Sequence, residues 1–432
     1  MKANLPIPFL FFIALLSSCN TNSESRNSPH KKYASKIIAS GLDQTSMGRR
    51  WLIAANECLM KPQWVRIPYS ESGYFAIDTP SAFAFRFSCK RGQKIIIKMD
   101  VRSSNGLRLF GDLYQYSSAN VPPEWIDATD TLKREIQYDI EESGDYGLRI
   151  QPELLGSGSY ELNVSYSPSL AFPLRKGKIE SVWGDVRDGG ARKHEGIDIF
   201  APKYSPVLAA ADGSISRVNE NNLGGNVVWE KVHGRSYQLY YAHLDKQLVR
   251  EGQDVKIGDT VGLVGNTGNA RTTPAHLHFG IYTWGGAIDP LPFVDPNAPK
   301  ASPITASSDL IGTNARTTEP TRIYGGPNID AGSVQIDKGA FLRIQAATAE
   351  WYRVATGTGA VGYISSASVT VANKPITQLV IKKQEPLFDN ADTSAAIKEM
   401  IAKGEAVDVL STANHFYYVR SKEKTLGWIH EQ

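Results

Sequence analysis

His276 and His278 stand two residues apart in Pro274-Ala275-His276-Leu277-His278-Phe279-Gly280-Ile281. Leu277, Phe279 and Ile281 are apolar, so the run reads as a strand with one buried face. Alternate residues of a strand point the same way, and the two imidazoles project together from the other face. Two imidazoles on one face bind a metal, shuttle protons or simply form a polar patch. The spacing alone does not choose among these, and partners elsewhere in the chain must decide.

Three partners stand in segments of the same strand-like kind. Ile197 and Ile199 alternate with His194, Gly196 and Asp198. Read as a strand, this puts His194 and Asp198 on one face, and Gly196 between them leaves room for something bulky, such as a metal with its substrate. Tyr237, Leu239, Tyr241 and His243 alternate along a further strand and share a face. A catalytic zinc ion takes three nitrogen or oxygen ligands and keeps a fourth position for water. Two histidines and a carboxylate suit zinc better than calcium or copper. Two histidines are then left over, the groups that proton transfer near the metal requires. Glu195 falls on the opposite pleat and reads as structural. His233, His415 and His430 match no pattern and read as surface or packing residues.

The elements that must position these groups are mainly β. Residues 170–294 hold a succession of short strands and tight turns with little helix (207–211, 215–218, 226–232, 236–243 and 252–265). Before them, 43–60 reads as a helix with Thr45 or Ser46 as N-cap and Leu52, Ala55 and Leu59 on one stripe. Phe83, Phe85 and Phe87 then alternate with Ala84 and Arg86, and later runs alternate again between Gly-Ser turns, so 41–168 reads as a β-sandwich-like domain. Residues 295–308 are a linker rich in Pro, Ala and Ser. Beyond it the chain repeats itself at an offset of 65: Gly339 and Gly404, Trp351 and Phe416, Tyr352 and Tyr417, Gly362 and Gly427. The two halves are 309–371 and 372–432.

A chain of 432 residues divides into several domains. A net charge of +3 without a basic run excludes a dedicated nucleic-acid binder. Lys2 and the apolar run to Leu16 read as a signal segment too short to span a bilayer. Leu16-Ser17-Ser18-Cys19 resembles a bacterial lipobox, which implies residues 1–19 as leader, lipid on Cys19 and a membrane anchor. Residues 20–40 read as a polar tether. Asn20, not an aspartate, resembles the outer-membrane sorting pattern of diderm bacteria, with the protein facing the periplasm. Of the three cysteines, Cys58 and Cys89 then remain. They either form a disulfide, worth about 3–4 kcal/mol on the chain-entropy model, or stay buried free thiols.

His194-Glu195-Gly196-Ile197-Asp198, Tyr241-Ala242-His243-Leu244 and His276-Leu277-His278 together resemble, in order, the three motifs of the lysostaphin-type zinc endopeptidases. The likeness covers about 181–292. It implies His194, Asp198 and His278 as zinc ligands, His243 and His276 as the unliganded catalytic pair, and a compact antiparallel β domain with an open groove over Zn2+. It also implies peptidoglycan as substrate, with D,D-endopeptidase activity as the expectation. The segment 268–274 is longer and more polar than in many members and borders the groove. The C-terminal halves resemble bacterial SH3-like β-barrels that bind peptidoglycan. The alternative is a catalytically inactive homologue that binds the wall and regulates amidases or the divisome, with cell-division or wall-synthesis proteins as partners.

Overall fold

The computed structural model describes residues 28–102, 107–118, 121–129 and 134–431. The leader, Cys19 and Asn20 lie outside them. The tether expectation fails from Pro29 onward, because α1 (Pro29–Ala39) forms there, capped by the Ser28 hydroxyl on the Lys31 amide. Its Ile37 packs with Trp51 and Phe110, which a solvated tether could not do. The predicted second helix is α2 (Ser46–Met60), with Thr45 accepting from the Gly48 amide. Its buried stripe is Trp51, Ala55 and Leu59, with Trp51 in the place expected of Leu52.

His30, which the sequence did not single out, ties α1 to the sheet beneath. Its Nε2 donates to Gln151 Oε1 at 2.6 Å, and its Nδ1 accepts from Arg149 at 2.9 Å. Arg149 also pairs with the buried Asp112 at 2.6 Å. Burial, then the Arg149 charge, pushes the His30 pKa down from 6.5 to about 4.

The N-terminal sandwich is as expected. One sheet holds β1 (Tyr69–Phe75) and β2 (Gly158–Pro168), paired antiparallel. The facing sheet holds Phe83–Cys89, Gly144–Pro152 and Leu109–Tyr116. Phe85, Phe87, Ile95, Ile97, Leu148 and Leu162 fill the space between them. Cys58 and Cys89 are free thiols in different apolar clusters. Burial raises each thiol pKa to about 12.

The central block is an antiparallel sheet in the order β3 (Ile197–Phe200), then β7 (His276–Thr283), β6 (Gln238–Gln247), β5 (Gly225–Val232) and β4 (Gly213–Asn221). Ile197, Ile199, Val228, Leu239, Tyr241, Leu277, Phe279 and Ile281 point to one face and form its core. The other face is open. The sandwich meets this block at the 233–237 turn, where Arg235 pairs with Asp139 and Glu141. That turn leads into β6 at Gln238, and His243 lies in the middle of that strand.

The 65-residue repeat is real in the strands. Phe341–Thr348 recurs as Ala406–Ala413, and Val361–Ser365 as Leu426–His430. Among the described residues neither half closes into a barrel, which corrects that expectation. The first half instead spends an edge on the sandwich: β8 (Phe341–Thr348) pairs with β1 through Ser72↔Ala347 and Gly73↔Ala346. Under this junction Arg353 grips Glu71 through Nε (3.1 Å) and Nη2 (3.0 Å), both residues fully buried. The Tyr69 and Tyr160 hydroxyls donate to the same carboxylate, and the guanidinium lies 3.6 Å over the Phe83 ring.

Glu71→Ala would strand the Arg353 charge, so urea denaturation of that variant should show a loss of about 3–5 kcal/mol, with Glu71→Leu/Arg353→Met losing less. The His30 pKa is depressed by folding, so its contribution is complete above pH 6.5 and is lost as pH falls toward 4. Wild type should therefore lose up to about 3 kcal/mol of its stability margin over His30→Gln across that window. A margin that stays constant with pH would contradict the His30 network.

Candidate metal centre

Strand register assembles the centre. Asp198 on β3 lies directly opposite His278 on β7, and His278 lies opposite Ala242 on β6. Directly opposed residues share a face, so the Asp198 and His278 side chains meet on the open side. His194 sits just before β3. Its Nε2 lies 3.0 Å from Asp198 Oδ1 and 3.0 Å from His278 Nδ1, and His278 Nδ1 lies 3.0 Å from Asp198 Oδ1. The three predicted ligands thus converge through one atom each.

Two expectations change in detail. Gly196 does not make room for metal and substrate. A Cβ there would stand 2.6 Å from His278 Cε1, so the missing side chain makes room for His278 itself. His243 does not follow the alternation of its strand either. Strict alternation would send it to the core face with Tyr241, which is fully buried there. Instead His243 has φ 62°, and the local ladder shifts register. The left-handed residue turns its ring to the open face, 5.0 Å from the His276 ring and 5.8 Å from that of His278.

Backbone carbonyls fix the tautomers. His194 Nδ1 lies 2.9 Å from Val182 O, His243 Nδ1 2.9 Å from Thr267 O, and His276 Nδ1 2.9 Å from Pro274 O. A carbonyl only accepts, so each Nδ1 carries a proton and each ring turns its Nε2 inward. Thr267 and the segment 268–274, flagged as long and polar, therefore hold both outer histidines by their backs. Gly268 and Arg271 of this segment also line a hollow of about 320 Å³ with Glu220, Asn221 and Asn222.

The charges are those of a cation site. Burial would raise the Asp198 pKa, but the contacts with His194 and His278 outweigh it and hold the carboxyl well below the usual range. Burial pushes His278 down, and it pushes His243 down to about 4, helped by His278 and His276. A carboxylate oxygen and two imidazole nitrogens at mutual distances of 3.0 Å need positive charge among them, either a shared proton or a metal cation. Tetrahedral zinc with bonds of about 2.0–2.1 Å spaces its ligand atoms roughly 3.3 Å apart, close to the observed triangle. The residues present fit the ion.

Residues behind the ligands carried no sequence signal. Arg187 donates to Asp198 Oδ2 at 2.7 Å, leaving Oδ1 for the centre, and to Ser181 Oγ at 2.6 Å. Ser181 bonds Asp185 at 2.7 Å and lies 3.1 Å from His194 Nδ1. Phe200 stacks on His276 with centroids 4.9 Å apart. Glu195, His233, His415 and His430 are exposed and outside the centre.

Residues 192–290 match the model for peptidase family M23. Similar proteins include the peptidoglycan DD-endopeptidase ShyC of Vibrio cholerae, 40% identical over 91 residues, or 21% of this chain and 20% of that protein. The murein hydrolase activator NlpD of Escherichia coli is 36% identical over 120 residues, 28% of this chain and 30% of that one. The catalytic domain of the antimicrobial peptidase lysostaphin from Staphylococcus simulans is 32% identical over 27% of this chain and 91% of that domain, with a TM-score of 0.25. The chain spans less than half the length of the curated relatives it matches.

Arg187→Ala frees Asp198 to rotate, and second-sphere partners of this kind are worth about 10–100-fold in metal affinity. Competition with a chromophoric chelator should show a zinc dissociation constant raised by that factor, with the fold intact by circular dichroism. An unchanged constant would remove Arg187 from the centre.

Proposed function

We propose, for a chain whose residues 192–290 belong to peptidase family M23, that it is a zinc-dependent endopeptidase hydrolysing peptide bonds of peptidoglycan stems or cross-links. The observation that carries this reading is the set of three converging donors with two further carbonyl-locked histidines beside it. The D,D cross-link is the proposed bond, a choice supported by the likeness to ShyC, a peptidoglycan DD-endopeptidase.

His194 Nε2, Asp198 Oδ1 and His278 Nδ1 would hold the ion. Bound zinc supplies a Lewis acid for the scissile carbonyl and lowers the pKa of water from 15.7 to about 7. The chain's own groups handle the protons. His243 and His276 are engaged at Nδ1 and turn Nε2 toward the centre, where either can accept a proton from the attacking water and return it to the leaving amine. Their Nδ1–H bonds to Thr267 and Pro274 keep the rings oriented and stabilise the charge gained on protonation. Arg187 holds Asp198 in place through Oδ2.

Lipid on Cys19 would anchor the protein in the outer membrane facing the periplasm, and the C-terminal repeats would hold it on the wall. The likeness to NlpD supplies the competing reading, a wall-binding activator without catalysis of its own. Incubation of the soluble protein with purified sacculi decides between them. Chelator-sensitive release of new stem-peptide termini means an enzyme, and retention on sacculi without cleavage means a binder.

Asp198→Ala and His278→Ala should lose both zinc, measured by metal analysis, and cleavage. His243→Ala should keep zinc while turnover falls about 10²–10⁴-fold. Loss of zinc from folded His243→Ala would overturn the division of roles.

A further inference from the structure

We propose that the open sheet face beside the metal centre carries a saccharide-binding shelf, built by Trp229, Tyr240 and Tyr282, that seats the glycan of a cross-linked muropeptide while Arg217 and Lys231 take its acidic stem. The proposal rests on the endopeptidase reading and names what that site recognises beyond the bond it cuts.

Register places the shelf. Asp198, His278 and Ala242 form one row across the open face. Two residues along each strand, and so on the same face, lies the next row: Arg217, Trp229, Tyr240 and Gly280, paired in that order. The row after it is Lys231, Gln238 and Tyr282. The aromatic rings therefore begin one step from the ligands, and the Tyr240 ring lies 6.0 Å from that of His278.

The three rings pack as one cluster, tilted or edge-on to one another at interplanar angles of 44°, 60° and 82°. Trp229 lies 4.5 Å from Tyr240 and 5.1 Å from Tyr282, and Tyr240 lies 5.7 Å from Tyr282, all by centroid. Tyr240 is buried as the base, while Trp229 and Tyr282 are half-buried and pack against it. Gly280 makes this possible: a Cβ there would stand 2.8 Å from Tyr282 Cε2, so any side chain would lift the ring from the floor. Beyond Tyr282 the shelf opens into a hollow of about 340 Å³ lined by Lys231, Gln238, Tyr282, Thr283 and Trp284. Trp284, at the tip of the hairpin, is wholly exposed.

The chemistry selects the occupant. Broad aromatic faces without a deep apolar pocket suit the flat C–H face of a pyranose better than an amino-acid side chain. Gln238 offers an amide to hydroxyl or N-acetyl groups. Arg217 and Lys231 are exposed, and among the described residues neither is in an ion pair, so both are available to stem carboxylates. A muropeptide joins all three features in one molecule, with its peptide one row away at the metal centre.

The test compares two cross-linked muropeptides of identical peptide sequence, one carrying its disaccharides and one stripped of them, with the zinc-loaded full chain. Wild type should show a KM about tenfold lower for the disaccharide-bearing substrate, the size of one aromatic stacking contact. Trp229→Ala, Tyr282→Ala and Gly280→Ala should bring the two KM values together, and Tyr282→Phe, which keeps the ring, should retain the difference. Equal KM values in wild type, or a preference that survives the three variants, overturns the shelf. Should wild type cleave neither substrate, the endopeptidase reading fails by itself, and calorimetric binding then judges the shelf. Tighter binding of the disaccharide form that Trp229→Ala abolishes supports it, and equal binding of both forms overturns it.

Discussion

Three electron-pair donors held 3.0 Å apart are the constraint around which the central block is arranged. Left to themselves, three side chains of this kind would be free to rotate apart about their side-chain bonds. They are prevented from several sides. Direct cross-strand pairing sets Asp198 against His278, and Gly196 lets the His278 ring settle into place. Arg187 holds the far carboxylate oxygen, and the Val182 carbonyl holds the back of His194. Such preorganisation costs stability locally, and a buried hydrophobic face of eight or more large residues offsets it from the other side of the same sheet.

The same constraint explains why the outer histidines depend on a loop. Among the described residues no hydrogen bond joins His243 or His276 to Arg187 or Val182, and their rings are held by the Thr267 and Pro274 carbonyls. The loop that borders the groove is thus mechanically coupled to both proton-handling groups. A change in its length acts on ring orientation as well as on the walls of the groove.

Outside the central block, the C-terminal repeat has been put to a second use. Position 353 in the first half corresponds to 418 in the second by the 65-residue offset, where the chain has Tyr418. Arg353 departs from that aromatic because it serves the sandwich: its partner is Glu71, 282 positions earlier. A buried pair of this kind is poor at adding net stability but severe against mispairing, since either charge alone in that core is costly. The sandwich and the first repeat are accordingly welded by a shared sheet edge and a buried ion pair, and the metal-binding block lies between them in sequence.

The sequence by itself pointed to the mainly β class, the 65-residue repeat and a helix over 43–60 capped by Thr45 or Ser46, and its resemblance to a known family pointed to the five residues of the centre. These are short-range signals: alternation at period two, a cap before an apolar stripe, and residue types at fixed spacing. Tertiary structure decided what local periodicity cannot encode. It turned Pro29–Ala39 into a docked helix because His30 and Ile37 found partners more than 70 residues away. It left the repeats open instead of closing them as barrels, with the edge of the first repeat's sheet paired to the sandwich. It brought His243 to the open face by a left-handed residue that breaks the alternation, and it recruited Arg187 to a ligand eleven positions away. Each depends on long-range pairing that a single strand pattern does not contain, which is why the chemistry was legible early and the machinery that aims it was not.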